Sequence, residues 1–309
     1  MLFQAGSLLL VIISVYILKR IHIFNKHSYK VVQGLVFNLT LPCAIVMSFA
    51  TNRHPMNLLW LVVFGLFACM IPLFIVFLGS HGDEPRYRAY QMLNASGLNI
   101  GAFCLPVVQT FMGPSAGLPV IMLDIGNAII ATAASLTITR SLLHLGSPTK
   151  NLPLALKIRN VAHDFYSSLS FDIYMLMLVF MFAGLTVPKW IVTLITPFAN
   201  ANAFAAMAMI GLMMEVPDNR KDRSELGKVI MWRLFFGVII AVAAWFLLPL
   251  DERVREIVVL AAFAPVTIFS TKFTDSLTGN AELAGFSLTV TAVIGLAIMT
   301  VLHAVLPVV

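Results

Sequence analysis

The stretch NIGAFCLP, from Asn99 to Pro106, places an amide, a glycine and a proline inside an apolar segment. A proline within a helix removes one backbone hydrogen bond and costs about 3 kcal/mol. Inside a membrane, every backbone polar group left without a partner adds to that cost. Such a break is tolerated only where the backbone is buried in protein or lines a polar cavity. The stretch therefore predicts a binding site that contains Asn99, Gly101 and Pro106.

A second apolar segment repeats this pattern around Pro265. The sequence GAFCLPVVQTF at 101–111 resembles LAAFAPVTIFS at 260–270, since each has Ala-Phe shortly before a Pro-Val pair. Two breaks at the same depth would meet near the middle of the membrane, where half-helix N-termini attract an anion and freed carbonyls hold a cation. Prolines also kink membrane helices without forming a site, but two matched prolines and a nearby Asn99 favour a site.

Asp124 and Asn127 lie in the apolar stretch IMLDIGNAII and are spaced to share one face of a helix. A charge at the centre of a bilayer costs about 2.5–3.5 kcal/mol on insertion scales, so it is a candidate for function. We predict that Asp124 and Asn127 form a coupling site, where Asp124 carries a proton or helps to hold Na⁺. The alternative is a carboxylate that lies near the outer membrane surface.

Hydroxyl side chains after the second break share one face of a predicted helix: Thr267, Ser270, Thr271 and Thr274. They would line a path that leads away from the break. We predict Thr267 as a substrate-binding residue and Thr271 as part of the ion site. The alternative is that these hydroxyls bond to carbonyls of their own helix.

The composition sets the class of protein that must position these residues. Of the 309 residues, 60% are hydrophobic and 11% are charged, which indicates an integral membrane protein. The net charge of +6 follows from the membrane orientation and does not indicate a nucleic-acid partner. The cysteines and histidines have no metal-ligand spacing, and no catalytic constellation is visible, so we expect no metal site, no cofactor and no enzyme.

Ten apolar segments approach the length of about 20 residues that a membrane-spanning helix needs. They lie at 2–18, 31–51, 57–79, 89–112, 117–140, 168–186, 190–214, 227–249, 254–273 and 283–306.

The basic residues orient these spans. Most of the 20 lysines and arginines fall in the first, third, fifth, seventh and ninth connections, which the positive-inside rule places in the cytoplasm. Arg233 lies within a span, near its inner end, and we expect it at the membrane interface. The few on the outer side are Arg53, Lys189, Arg253 and Arg255. We therefore expect a multi-pass protein of the cell membrane with both termini outside.

The longest inner connection divides the chain into two halves of five spans. An odd number of spans per half inverts the second half, as in many secondary transporters. We predict an all-α fold with a first five-helix repeat at 1–143, a cytoplasmic connection at 144–167, and a second, inverted five-helix repeat at 168–309.

Three motifs in this order resemble those of the auxin efflux carrier family, which includes bacterial malate and malonate permeases and plant auxin exporters. They are LVFNLTLPCAIV at 35–46, NIGAFCLP at 99–106 and AAFAPVTIF at 261–269. The second break has no asparagine to match Asn99.

The resemblance implies a fold of ten helices in which the fourth and ninth cross at their breaks. It implies a scaffold of spans one, two, six and seven, a moving domain of the other six, a homodimer, and organic anions as substrates. Asn99, Gly101, Pro106 and Pro265 would form the crossover, and Asn38 would face it from the scaffold.

The leading hypothesis is a secondary transporter of small organic anions, such as dicarboxylates, that works by alternating access. A non-transporting receptor or sensor on the same fold is the alternative, although the sequence predicts no soluble domain that would relay a signal. The sequence leaves open the substrate, the direction of transport, the oligomeric state and whether Na⁺, H⁺ or no ion is coupled.

Overall fold

The computed structural model describes residues 2–52, 55–145, 169–216 and 219–306. These residues fold into helices, and no strand forms among them. The helices are Leu2–Arg20, Ser28–Ala50, Met56–Gly79, Pro85–Ala95, Ile100–Met112, Pro114–Leu143, Leu169–Phe182, Lys189–Met213, Arg220–Leu247, Glu252–Ala261, Ile268–Thr278 and Ala281–Val305.

Seven of these helices are long and apolar enough to cross a membrane. The predicted spans four and nine each consist of two half-helices, which lie within 85–112 and 252–278 and which we call the first and second broken segments. The predicted sixth span is the shorter helix Leu169–Phe182. The arrangement as two inverted repeats stays a prediction, and the predicted connection 144–167 lies outside the described residues from 146 onward.

Local sequence signals set several helix ends. Pro85 opens the first broken segment at a position where no backbone donor is needed. The Asn219 side chain accepts from the Lys221 N–H at 2.9 Å, and the Asn280 side chain accepts from the Leu283 N–H at 3.0 Å. Gly279, with φ +66°, ends the second broken segment in a left-handed conformation that glycine adopts without strain.

Helices Leu2–Arg20 and Ser28–Ala50 each pack on Lys189–Met213, and Leu169–Phe182 packs on Ser28–Ala50. We call these four helices the scaffold group. Inside this group the Thr40 hydroxyl donates to Oδ1 of Asn202 at 3.0 Å. The remaining helices form what we call the crossing group.

Glycines allow close packing inside the crossing group. Helix Met56–Gly79 lies against Pro114–Leu143, and a Cβ at Gly65 or Gly126 would clash with the facing backbone. This contact fixes the helix that carries Asp124.

A polar cluster holds the start of the first broken segment. The Lys228 ammonium lies 2.7 Å from Asp83 and 2.9 Å from Glu225, and the Gln91 amide donates to both carboxylates. The hydrogen bond from Lys228 lowers the pKa of Asp83 below its ordinary value. The segment is thereby joined to helix Arg220–Leu247 of the same group.

Candidate functional site

The two broken segments meet where their helices are interrupted. The first is non-helical from Ser96 to Asn99, and the second is non-helical from Ala262 to Thr267. Leu98 and Val266 form an antiparallel bridge, and the Asn99 N–H donates to the Pro265 carbonyl at 2.9 Å. We call this contact the crossing. In this contact, backbone donors and acceptors of the two segments bond to each other. Backbone polar groups inside a membrane need such partners, because no water is available there.

Side chains from neighbouring helices complete the hydrogen bonding of each break. The Asn127 amide donates to the Leu98 carbonyl and accepts from the Leu98 N–H, both at 2.8 Å. The Val266 N–H donates to the Thr291 hydroxyl at 3.2 Å. Asn127 thus bonds to both backbone groups of Leu98, as a neighbouring strand would, whereas Thr291 bonds to one backbone group of Val266.

Arg233 also serves both breaks. Its guanidinium donates to the Gly97 carbonyl at 2.7 Å and to the Ala264 carbonyl. The arginine lies at the crossing and is 9% exposed, so the expected position at the membrane interface is wrong. The predicted span begins at 227, but the helix begins at Arg220, so that Arg233 lies in the middle of the helix.

A cavity of about 50 Å³ lies against the crossing. Its lining includes Asn99 and Thr267, the residues that directly precede the second half-helix of each broken segment. The Asn99 side chain is buried, and its Nδ2 has no hydrogen-bond partner among the described residues. A buried amide donor that faces a cavity without a partner is ready to bind an acceptor group.

Asp124 lies on the wall of the same cavity. Its carboxylate accepts from the Tyr174 hydroxyl at 2.5 Å and from Nδ2 of Asn127 at 2.7 Å, and the Gly101 N–H also bonds to it. A Cβ on Gly101 would lie 2.6 Å from Asp124 Oδ2 and 3.0 Å from the Tyr174 oxygen, so this contact requires glycine. Since Tyr174 belongs to the scaffold group, the Asp124–Tyr174 bond joins the two groups.

A larger cavity of about 610 Å³ adjoins the central one. The two share Phe37, Thr132, Ile268 and Phe269 in their walls, and the rings of Phe37 and Phe269 lie 5.7 Å apart between the two groups. The charged residues that line the larger cavity are all basic: Lys30, Arg140 and Lys272. We call it the basic cavity.

The predicted site residues divide by position. The central cavity brings together Asn99, Gly101, Asp124, Asn127 and Thr267. Their individual roles stay predictions.

The two prolines lie in different places. Pro265 is part of the second break and supplies a carbonyl to the crossing. Pro106 follows the first break, at the start of the α-helical turns Leu105–Met112, and a π-helical turn at Ile100–Cys104 separates it from Asn99. The expected equivalence of the two prolines therefore does not hold in space.

Two predicted residues lie away from the crossing. Asn38 lines the basic cavity and donates to Gly34 of its own helix at 3.0 Å, while Phe37 and Leu41 face the crossing instead. Asn38 lies within the π-helical turn Val36–Thr40 and does not line the central cavity. Thr271 donates to Ile268 at 2.7 Å and lines a third cavity beside Asp275 and Glu282.

The sequence did not single out Tyr174, Phe37 or Phe269 as site residues. Tyr174 is one aromatic residue in the apolar stretch FDIYMLML, and both phenylalanines resemble ordinary membrane-helix residues. Only the packing of the scaffold group against the crossing group reveals them.

The family model described as membrane transport protein matches residues 6–146. The matched stretch includes the first broken segment and Asp124. It agrees with the resemblance that the motifs carry. No curated protein shows significant similarity to the chain.

Proposed function

Because the chain belongs to the auxin efflux carrier family of membrane transport proteins, we propose that it is a secondary transporter of small organic anions that works by alternating access. Its candidate substrates are dicarboxylates such as malate or malonate, and auxin-like acids. The substrate carboxylate would bind at the crossing.

The unpartnered amide of Asn99 carries this proposal. Its Nδ2 is buried at the central cavity, where a substrate carboxylate would accept its hydrogen bond. The helices Ile100–Met112 and Ile268–Thr278 begin at the same place, and the partial positive charge of their N-termini favours an anion.

The basic cavity supports an anionic substrate. Lys30, Arg140 and Lys272 give it a positive potential, which raises the local concentration of organic anions. At about 50 Å³ the central cavity has room for water but not for a dicarboxylate. We propose that the rings of Phe37 and Phe269 move apart to admit the substrate from the basic cavity.

Two contacts would change as the crossing group moves against the scaffold group. The Phe37–Phe269 ring contact and the Asp124–Tyr174 hydrogen bond both join the groups. When the groups move, Asp124 loses the Tyr174 donor and takes up a proton to stay buried without an uncompensated charge. We therefore propose H⁺ as the coupling ion, carried by Asp124.

Uptake of labelled malate into proteoliposomes tests this proposal. We expect saturable uptake that a proton gradient stimulates, and we expect Asn99→Ala to lower it by about tenfold or more because a buried substrate oxygen loses its donor. Asn52→Ala is the matched control, since this amide lines neither the central nor the basic cavity and donates to the Ser48 carbonyl.

Malonate and indole-3-acetate are measured in the same way. No uptake of any of the three, together with saturable binding to the purified protein, would reject transport and favour a receptor. Equal loss in the Asn99→Ala and Asn52→Ala variants would reject the crossing as the binding site.

A further inference from the structure

Arg233 lies in the middle of the apolar helix Arg220–Leu247 and reaches a point where two helices end. The carbonyls that it binds belong to Gly97 and Ala264, which follow helices Pro85–Ala95 and Glu252–Ala261. The C-terminal end of a helix carries a partial negative charge. The guanidinium therefore faces two negative helix ends at once.

This guanidinium has no acidic partner in the described part of the chain. The ion pairs found there involve other side chains, so no carboxylate lies within 4.0 Å of Arg233. Small, mostly apolar cavities flank the side chain, with walls that include Leu234, Ala262 and Phe236. The carbonyls and helix ends are thus the groups that compensate the buried charge.

Freed carbonyls and half-helix C-terminal ends are the groups with which secondary transporters bind a coupling cation such as Na⁺. At this crossing they already hold a cation that belongs to the chain. We propose that Arg233 is a built-in cation which takes the place of bound Na⁺, so that the protein neither binds nor requires Na⁺. This proposal concerns the same transport site. Its uptake assay depends on the proposed transport function, whereas its unfolding tests do not.

The first test needs no substrate. Thermal unfolding of the purified full chain is followed by tryptophan fluorescence in NaCl and in choline chloride at equal ionic strength. We expect the same midpoint in both salts for the wild type. A midpoint that rises specifically with Na⁺ would overturn the proposal.

The second test removes the cation. We expect Arg233→Ala to lower the unfolding midpoint, and we expect millimolar guanidinium or Na⁺, but not choline, to restore part of the loss. Arg255→Ala is the matched control, because Arg255 also donates to two carbonyls, those of Leu250 and Trp245, away from the crossing. A loss in Arg233→Ala that no small cation reverses would show a packing role alone and overturn the proposal.

Two milder variants keep the test decisive if Arg233→Ala does not fold. Arg233→Lys keeps the charge, whereas Arg233→Gln keeps a hydrogen-bond donor without the charge. We expect the lysine variant to stay indifferent to Na⁺ and the glutamine variant to become stabilised by it. Equal behaviour of the two variants would overturn the proposal.

The uptake assay separates this proposal from the proposed function. We expect malate uptake by the wild type to be equal in NaCl and choline chloride, and we expect Arg233→Gln to lower it by about tenfold because the two carbonyls lose their charged donor. Uptake that requires Na⁺ would overturn the built-in cation and leave transport intact. Absence of uptake would reject the proposed function, and the unfolding midpoints would still decide the role of Arg233.

Discussion

The two broken segments solve the same backbone problem with different residues. In the first, Asn127 bonds to both polar groups of Leu98, and Asn99 leaves its amide free toward the central cavity. In the second, the Thr291 hydroxyl accepts from the Val266 N–H and donates to Ser287 of its own helix. Thr267 occupies the place of Asn99, directly before the half-helix.

The comparison shows two tasks for polar side chains: some bond to the interrupted backbone, and others are available to bind the substrate. At the first break, Asn127 of the neighbouring helix bonds to both polar groups of Leu98, and the Asn99 amide stays without a partner among the described residues. The second offers a hydroxyl where the first offers an amide. We infer that the first segment carries most of the recognition and the second mainly completes the crossing.

The largest effect should come from Asn127→Ala. Both polar groups of Leu98 would lose their side-chain partner, and we expect the free energy of unfolding to fall by about 2–5 kcal/mol. Thr291→Ala removes one partner and should cost about 1–2 kcal/mol. Denaturant unfolding of the two variants measures the difference.

Thr300→Ala is the control, since the bond that this buried hydroxyl makes within the described part of the chain goes to Leu296 of its own helix. Equal losses for Asn127→Ala and Thr291→Ala would contradict the asymmetry between the breaks.

Tyr174→Phe should have the next largest effect. The carboxylate of Asp124 loses a donor, and hydrogen bonds to charged groups contribute about 1.5–3 kcal/mol. We expect lower stability together with a changed pH dependence of uptake, because the lost bond joins the two groups. Tyr90→Phe is matched to it, since its hydroxyl bonds to Ser287 at 2.5 Å within the crossing group. An unchanged pH profile in Tyr174→Phe would contradict proton coupling at Asp124.

Thr267→Val should reduce uptake less than Asn99→Ala does. The hydroxyl offers one donor against the two N–H groups of the amide, so we expect a loss of about two- to threefold in kcat/KM. Initial rates of uptake over a range of malate concentrations measure it. A larger loss than in Asn99→Ala would reverse the assignment of recognition to the first segment.

The smallest effect should concern the start of the first segment, where Asp83 binds Lys228. The pKa of Asp83 is lowered in the folded protein, so its contribution to stability is complete above the unfolded value of about 3.9. It is lost as the pH falls through the lower, folded value. We therefore expect the unfolding midpoint of the wild type to fall more steeply below about pH 4 than that of Asp83→Asn.

Glu84→Gln is the comparison for this prediction, because its pair with Lys221 is more exposed and should contribute less. Identical pH curves for the wild type and Asp83→Asn would contradict the role of the Asp83–Lys228 pair.

Several features of the site were predictable because they follow from local chemistry. The stretch around Asn99 predicts a break, and Asp124 and Asn127 share a face of one helix beside it. Asn38 and Thr271 were not predictable in the same way, since the facing of a side chain depends on helix phase. The π-helical turn at Val36–Thr40 shifts the phase around Asn38, and no residue pattern predicts this turn.

The sequence by itself determined that this chain is a membrane protein with two interrupted apolar segments, because hydrophobic length and unsatisfied backbone groups are properties of single segments. The tertiary structure alone decided which groups meet: Arg233 with two helix ends, Tyr174 with Asp124, and Asn99 with an open cavity. These contacts join residues far apart in the chain. Their pairing depends on how whole helices pack, which local sequence does not specify.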